Sequence, residues 1–434
     1  MKHLFALLSI SAVLFSCKPD DHKQGFIQTE GTHFKLGDQK YYYLGTNFWY
    51  GLNLGSKGAG GNRERLLREL DRLKELGVTN LRVVAGSEGP DTEPYRMVPS
   101  LQPAPGVYNE EVFDGLDFLL SEMKKRDMYA VMCLNNFWNW SGGMAQYVVW
   151  AGVADSIPYP PPHPGGDWGV FQHFSAQFYS NAKAMELFDD HIEVIVNRTN
   201  TYTQVEYKND PTIMAWELGN EPRGANNVAA YDAWIKKTSS LIKQLDPNHL
   251  VTTGSEGKTS SPSSGTHPEN DHAISSIDYQ TIHIWVQNWG VYHPAQADST
   301  FQPSVDYAIR YINEHEAISR KINKPLVLEE FGISRDSNSH DPGSSTTVRD
   351  RYYEQLFEAI YQRAAMPNSV VSGVNFWAWG GEGRPRVAEG IWKTGDDFIG
   401  DPAHEPQGWY SVYDRDSTTN EIIKRYAVKM KGLK

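Results

Sequence analysis

Eight short runs rich in β-branched and aromatic residues alternate with amphipathic helical patterns along this 434-residue chain. The predicted strands cover residues 42–47, 79–83, 129–134, 213–217, 250–253, 280–283, 326–329 and 373–379. Strict alternation of strand and helix requires parallel strands joined by right-handed crossovers. Eight such units are enough to close the sheet on itself as a barrel.

The predicted helices carry apolar residues at a spacing of three and four, as Leu66, Leu70 and Leu73 show, and Gly77 ends the first of them. These helices cover residues 63–76, 112–126, 184–199, 228–245, 305–322 and 348–363, with a last one near 421–430. Only the fifth crossover, around 271–277, has a weak helical pattern.

A doubly wound open sheet is the alternative fold, and it would carry a glycine-rich phosphate loop after its first strand. Residues 45–49 instead read Gly-Thr-Asn-Phe-Trp, which is an aromatic sequence. We therefore predict an α/β fold of the (β/α)8 TIM barrel type. The long segments 86–108, 138–172 and 380–414 follow strands, and they are expected to wall an open cleft.

The composition restricts the partners of this cleft. A net charge of -12 argues against a nucleic acid, because a phosphate backbone needs a basic surface. The chain has 13 Trp, 23 Tyr and 17 Phe, more rings than a core needs, and such rings line clefts for neutral ligands such as polysaccharides. No His-Glu-x-x-His and no Gly-x-Ser-x-Gly sequence occurs. We predict no cofactor and no metal, interpret 335–345 as a solvated loop rather than a calcium site, and expect a monomer.

Two glutamates end predicted strands within carboxylate-rich motifs. Glu221 lies in Trp-Glu-Leu-Gly-Asn-Glu-Pro after the fourth strand, and Glu330 lies in Leu-Val-Leu-Glu-Glu-Phe-Gly at the seventh. The carboxyl ends of the strands form the active-site face of such a barrel. For either glutamate alone, a solvated strand end is the simpler interpretation. Together they match the two carboxyls of a retaining glycosidase, which face one sugar bond roughly 5–5.5 Å apart.

The second carboxyl has two candidates, because Glu329 precedes Glu330 and successive side chains of a strand point to opposite sides. We expect only one of them to face the barrel axis. Trp377 is expected to form the apolar floor under the sugar, and Trp379 competes for that position.

Three polar residues complete the predicted site. Arg82 ends an apolar strand and is interpreted as a clamp that keeps the nucleophile ionised. Asn220 is expected to bond the sugar 2-hydroxyl, with a turn residue as the alternative. His283 is expected to orient a carboxyl or the sugar, with a buried structural histidine as the alternative.

From about Phe26 to the C-terminus the chain resembles glycoside hydrolase family 5, within the clan of retaining barrels with catalytic glutamates after strands four and seven. The resemblance implies that Glu221 is the acid/base and that Glu330 is the nucleophile. Arg82, Asn220, His283 and Trp377 match supporting positions of the family. Trp285 stands where the family commonly has a tyrosine, so the hydroxyl that would contact the nucleophile is missing or comes from elsewhere.

Segments 45–50, 135–136, 142–144, 283–289, 376–381 and 405–409 are similar to the β-1,4-mannanase branch of that family. The resemblance implies substrate-binding roles for Trp49, Asn136, Trp138, Trp285, Trp289, Arg384 and Trp409. The tryptophans would stack on successive sugars, with core packing as the alternative for each of them. Arg384 would reach hydroxyls near the scissile bond.

The expected activity is retaining hydrolysis of β-1,4-mannosidic bonds in mannan, glucomannan or galactomannan. Endo action is expected, with exo action as the alternative if a loop such as 140–172 blocks one end of the cleft. A β-1,4-glucanase on the same scaffold is one alternative, because the carboxyls do not encode the orientation of the 2-hydroxyl. A surface lipoprotein that binds glycans without cleaving them is another.

The first 17 residues have a basic start, a short apolar run and Leu-Phe-Ser-Cys, which resembles a bacterial lipobox. This implies acylation of Cys17 and a membrane anchor, whereas a generic signal peptide is the alternative. We predict a polar tether at 18–27 and a single catalytic domain at 28–434. The expected location is the outer membrane or surface of a Gram-negative bacterium, or the periplasm or medium. Cys133 is the only other cysteine, so no intrachain disulfide forms once Cys17 is acylated.

Overall fold

The computed structural model describes residues 25–433, and a parallel sheet of eight strands forms its centre. The strands are β1 (Tyr43–Asn47), β2 (Asn80–Val84), β3 (Tyr129–Cys133), β4 (Ile213–Glu217), β5 (Leu250–Thr252), β6 (Gln280–Ile284), β7 (Leu326–Phe331) and β8 (Val371–Phe376). Their order in the sheet is β5-β4-β3-β2-β1-β8-β7-β6. This is the consecutive order of a barrel, read from one end strand to the other.

Hydrogen bonds also connect the two end strands, β5 and β6. The Asp278 amide donates to the Val251 carbonyl at 2.7 Å, and the Thr252 hydroxyl donates to the Tyr279 carbonyl at 3.0 Å. The sheet therefore closes, and the predicted (β/α)8 barrel is confirmed.

One principal helix follows each strand, as the alternating pattern predicts. These helices are α1 (Arg63–Glu75), α2 (Glu110–Lys124), α3 (Ala182–Val196), α4 (Val228–Leu245), α5 (Pro268–Ala273), α6 (Ala297–Ile322), α7 (Thr347–Ala364) and α8 (Ser417–Lys431). Helix α5 has 6 residues, in keeping with the weak helical pattern of the fifth crossover. No helix in the described range is long and apolar enough to cross a membrane.

The connecting loops, most of them after strands, contain further short elements. They are the α-helices Gly51–Leu54, Gly143–Trp150 and Trp168–Ser175, the 3-10 turns Asn139–Ser141, Ala176–Ser180, Tyr207–Asn209, Pro262–Ser264, Pro294–Gln296 and Asp336–Asn338, and the paired strands Trp379–Gly381 and Val412–Tyr413. The eighth predicted strand was to reach Trp379, but β8 ends at Phe376. Trp379 instead begins the separate strand that pairs with Val412–Tyr413.

Three short antiparallel strands cover the N-terminal end of the barrel: Ile27–Glu30, His33–Leu36 and Gln39–Tyr41. Phe34 packs there on the rings of Tyr43 and Tyr279, with ring centroids 6.4 and 5.2 Å away. Ile27, predicted as the end of the tether, is buried in the same apolar cluster, so the folded domain includes it. The predicted signal peptide, Cys17 and residues 18–24 of the tether lie outside the described residues.

The helices pack on the barrel through the apolar faces that their sequences indicate. In α1, Leu66, Leu70 and Leu73 are fully buried, and the Asn62 side chain accepts the Arg65 amide proton to cap the helix start. Cys133 at the end of β3 is buried as a free thiol.

Two valines of α3 provide a matched test of this packing. Val196 is 0% exposed and Val194 is 41% exposed. Val196→Ala removes two methyl groups from the core and is expected to lower the free energy of unfolding by roughly 2 kcal/mol. Val194→Ala should change it by less than about 0.5 kcal/mol. Urea denaturation of both variants measures the difference, and equal losses would contradict this arrangement of α3.

Candidate active site

Glu221 lies in the loop after β4, and its backbone is held in an unusual conformation. Its φ of 51° is in the left-handed region, which non-glycine residues rarely adopt and which is common at functional sites. The Glu221 amide donates to the Gly254 carbonyl at 2.9 Å, and the Asn220 amide donates to the Asn135 carbonyl at 2.9 Å. These bonds to the neighbouring loops fix the direction of the Glu221 side chain.

The Glu221 carboxylate accepts two hydrogen bonds from other strand ends. His283 Nδ1 donates at 2.7 Å, and the Trp138 indole donates at 2.6 Å. These donors outweigh the effect of burial and lower the pKa of Glu221 below the usual value.

Glu329 and Glu330 both face the interior of the site, which corrects the expectation that only one of them could. The register of β7 against β6 shifts between Leu328 and Glu330, so strict alternation fails at Glu329. The Glu330 carboxyl lines the cleft, whereas Glu329 Oε2 lies 3.4 Å from His283 Nε2. The strand irregularity therefore provides two adjacent buried carboxyls with different surroundings.

Arg82 at β2 connects these carboxyls. Its guanidinium donates to both oxygens of Glu217 at 2.6 and 2.9 Å and to Glu330 Oε1. It also donates to Asn47 Oδ1 at 3.0 Å and to Asn220 Oδ1 at 2.8 Å. A five-donor guanidinium can satisfy this many acceptors at once, whereas lysine cannot.

Glu217 is the partner of Arg82 that the sequence reasoning missed. It ends β4 in the same motif as Glu221 and is fully buried. Burial raises the pKa of Glu217 to about 7, although Arg82 opposes that rise. Its position at the end of a predicted strand is the signal that could have indicated it.

His283 lies between the two catalytic candidates. Its Nδ1 is 2.7 Å from Glu221 Oε1 and 3.3 Å from Glu330 Oε2. Burial alone would lower the pKa of His283, but the surrounding carboxylates outweigh burial and raise it to about 10. The imidazole is therefore doubly protonated and donates from both nitrogens at neutral pH.

Burial raises the pKa of Glu330 to about 8, and the neighbouring Glu221 adds to the rise, whereas His283 and Arg82 lower it. Two carboxyls this close in a buried site share one proton at neutral pH. The nearest atoms of Glu221, His283 and Glu330 lie within 4.8 Å of one another. This proximity fits the carboxyl separation of retaining glycosidases, of about 5–5.5 Å, and not the wider separation of inverting ones.

Glu221, His283 and Glu330 are also the group with metal-ligand geometry among the described residues. A doubly protonated imidazole has no lone pair to offer an ion. The group is therefore better suited to moving protons than to holding a metal.

Trp285 supplies the contact that the missing tyrosine hydroxyl would make. Its indole N–H donates to Glu330 Oε2 at 3.2 Å. The substitution therefore keeps a hydrogen-bond donor at this oxygen and changes the donor from O–H to N–H.

Aromatic side chains wall a cleft of about 760 Å³ above these carboxyls. Trp138, Trp285, Trp289, Trp377 and Trp409 line it, together with Trp140 and Trp168, which the sequence reasoning did not assign to substrate. Trp377 rather than Trp379 faces the cleft. The Trp379 indole donates at 2.9 Å to Glu69 beneath the site and is fully buried.

Three predicted substrate contacts lie away from the cleft lining. The Trp49 indole donates to the Gly400 carbonyl at 3.0 Å within the core, which agrees with the packing alternative. Arg384 binds Asp414 at 2.5 Å and two backbone carbonyls, so its guanidinium is engaged elsewhere. Asn136 is buried behind Asn220 and accepts its amide proton at 3.2 Å. Asn136 therefore orients Asn220, which does line the cleft.

Two further pairs in the cleft were not recognised from sequence. Arg223 directly follows Glu221-Pro222, forms a bidentate ion pair with Glu256 at 2.7 and 2.9 Å, and lies over the Trp138 ring. His404 and Glu405 line the same cleft and come from the long loop after β8. The position of Arg223 beside the Glu221 motif could have indicated from the sequence that it belongs to the site. The place of His404 and Glu405 in the cleft depends instead on the tertiary contacts of their loop.

The network around Arg82 predicts a large loss of stability when its charge is removed. Arg82→Met leaves Glu217 and Glu330 buried without their main counterion and is expected to cost about 3–5 kcal/mol of unfolding free energy. Arg425→Met, which breaks an exposed pair with Glu354 at 2.7 Å, should cost less than about 1 kcal/mol. Chemical denaturation of the two variants compares them. A similar, small loss in both would show that Arg82 does not balance the buried carboxyls.

Residues 24–434 match the family model described as GH family 5 beta-mannosidase-like. Mannan endo-1,4-beta-mannosidase 5 of Solanum lycopersicum is 31% identical over 408 residues, which cover 89% of this chain and 90% of that protein.

Solved structures indicate the same family. A glycoside hydrolase family 5 mannosidase from Rhizomucor miehei has a TM-score of 0.86 and 40% identity, covering 94% of this chain and 98% of that one. A variant of that enzyme in complex with mannosyl-fructose gives the same TM-score and identity, over 93% and 97% of the two chains. The matched family model spans nearly the whole chain, and this protein therefore belongs to the β-mannosidase-like group of glycoside hydrolase family 5.

Proposed function

We propose that this protein is a retaining, endo-acting hydrolase of β-1,4-mannosidic bonds in mannan, glucomannan or galactomannan. The observation that carries the proposal is the pair Glu221 and Glu330, which meet across His283 at the base of an aromatic cleft. The mannan endo-1,4-beta-mannosidase relatives support both the sugar and the mode of attack.

In the proposed reaction the Glu330 carboxylate attacks the anomeric carbon of the sugar above it. The bond from that carbon to the glycosidic oxygen breaks, and the oxygen takes the proton of Glu221. Glu221 then removes a proton from water, whose oxygen attacks the same carbon and releases Glu330. Each turnover restores the protonation state of the pair.

The reaction requires the shared proton on Glu221, whereas the hydrogen bond from His283 favours an ionised Glu221. We propose that His283 moves this proton. Its Nδ1 lies close to both carboxyls, so it can donate to Glu221 and take up the proton of Glu330. Developing positive charge on the sugar favours ionisation of Glu330, as do the donors Arg82 and Trp285.

Asn220 is suited to bind the sugar beside the nucleophile. Its Oδ1 is held by Arg82 and one amide proton by Asn136. The second amide proton stays available for the 2-hydroxyl, and this contact strengthens in the transition state.

Product analysis tests the function. The chain from residue 18 onward is incubated briefly with linear mannan and, separately, with β-glucan, beside a Glu330→Ala control. We expect a ladder of manno-oligosaccharides from mannan and none from the control. Release of mannose alone would contradict endo action, and cleavage of glucan alone would contradict the assignment to mannan.

The separate roles of the two glutamates are testable with leaving groups of different basicity. Glu221→Gln should lower kcat on mannan by about 10²–10⁴-fold, because the leaving oxygen loses its acid. On a dinitrophenyl β-mannoside it should retain rapid release of the first product, because that leaving group needs no proton. Glu330→Gln should be inactive on both substrates.

Glu389→Gln is the matched control, because its side chain is exposed in the same long loop after β8. It should leave both activities unchanged. If Glu330→Gln were the variant that kept activity on the dinitrophenyl substrate, the two roles would be reversed.

A further inference from the structure

Two side chains of the cleft carry buried polar atoms without a hydrogen-bond partner. They are His404, through Nδ1, and Glu405, through Oε2. Among the described residues that line the cleft, no other side chain has such an atom. An unpaired buried polar group destabilises a fold by roughly 1–3 kcal/mol, so one retained in a cleft indicates a ligand group that pairs with it.

The loop that carries these two residues is rigidly built. The Asp401 carboxylate accepts from the Gly408 amide at 2.9 Å and from the Tyr410 amide at 2.6 Å. The Gln407 amide donates to the carbonyls of Asp401, Pro402 and Glu405 at 3.1, 2.9 and 3.2 Å. This buried polar frame fixes the backbone at residues 401–408, so the unpaired groups are held ready for a ligand.

The ionisation of both groups suits a neutral ligand. Burial raises the pKa of Glu405 well above the usual value, and the neighbouring carboxylates of Asp401, Glu330 and Glu221 raise it further. Burial lowers the pKa of His404 to about 4. Burial therefore favours the uncharged form of both groups, and in that form each side chain offers one donor and one acceptor. Sugar hydroxyls have the same dual character.

We infer that Glu405, together with His404, binds hydroxyl groups of the sugar unit that lies against Glu221 and Glu330. The two catalytic candidates and these two residues line one cavity, and the His404 ring packs edge-on to Trp168, 6.2 Å away at the rim. In this proposal Glu405 binds the substrate as a neutral acid, with one donor and one acceptor, and not as a third ionised carboxylate. This inference rests on the proposed function, since it names a binding residue of the same reaction.

The amide of glutamine mimics a neutral carboxyl. Substituting Glu405 by alanine and by glutamine therefore tests whether Glu405 binds the sugar and whether it does so as a neutral group. Glu405→Ala should lower kcat/KM on a linear manno-oligosaccharide by about tenfold to a hundredfold, since it leaves a sugar hydroxyl unpaired. Glu405→Gln should stay within about threefold of the parent chain, because it keeps a donor and an acceptor. His404→Ala should resemble Glu405→Ala, and Glu389→Ala is the exposed control.

Thermal unfolding distinguishes binding from a structural role. Glu405→Ala removes an unpaired buried group, so its Tm should equal or exceed that of the parent chain. A lower Tm accompanied by the loss of activity would assign Glu405 to the fold and overturn the inference. Activity of Glu405→Ala equal to that of Glu389→Ala would overturn it as well. A Glu405→Gln variant as impaired as Glu405→Ala would exclude the neutral-acid role.

The same variants distinguish failure of this inference from failure of the proposed function. If the parent chain cleaves glucan and not mannan, the proposed function is wrong, and the contrast between alanine and glutamine on glucan still supports a sugar-binding Glu405. If the parent cleaves mannan and the contrast is absent, only the inference is wrong. A parent chain that neither cleaves nor binds a β-linked glycan, by tryptophan fluorescence, would overturn both.

Discussion

The buried ion network around Arg82 is the interaction on which the site depends. Glu217, Glu221, Glu329 and Glu330 are all buried, and Arg82 and His283 are the cationic groups that contact them. Removing carboxylates from water costs several kcal/mol each unless counterions and hydrogen bonds replace the solvent. Because four carboxyls face two cations, bound protons offset the excess negative charge, and the proton shared by Glu221 and Glu330 is the one the proposed chemistry uses.

The barrel makes this network possible. Its members come from the ends of β2, β4, β6 and β7, which are far apart in sequence and adjacent around one mouth. Rigid strands hold the charged groups in place, while the long loops supply the aromatic walls of the cleft. This division of roles between strands and loops explains why the ion network is well paired. It also explains why the unpaired atoms of the cleft are found on the loop after β8.

Much of the fold could be predicted from the sequence because the spacing of apolar residues indicates each strand and helix. The strand and helix order required parallel strands, residues 45–49 favoured a barrel over an open sheet, and Glu221 and Glu330 stood in recognisable motifs. Local reasoning failed where tertiary contacts decide. The shift in register beside Glu329 is invisible in sequence, since it depends on pairing with β6. Arg384 was assigned to substrate because its neighbours resemble a family segment, but Asp414 engages it. Glu405 lies in segment 405–409, which resembles the family, but it received no role there, because its importance lies in a missing partner.

The three-stranded cap at the opposite end of the barrel determines how the cleft faces its surroundings. Ile27 and Phe34 close that end by packing on the residues where the barrel strands begin. The chain therefore enters the described domain on the side farthest from the cleft. A polymer too large to diffuse freely can approach the open mouth without passing the point of entry. A carrier, affinity handle or solid support joined ahead of residue 25 should thus leave the mouth accessible, so this side of the domain is suited to immobilising the protein on a surface.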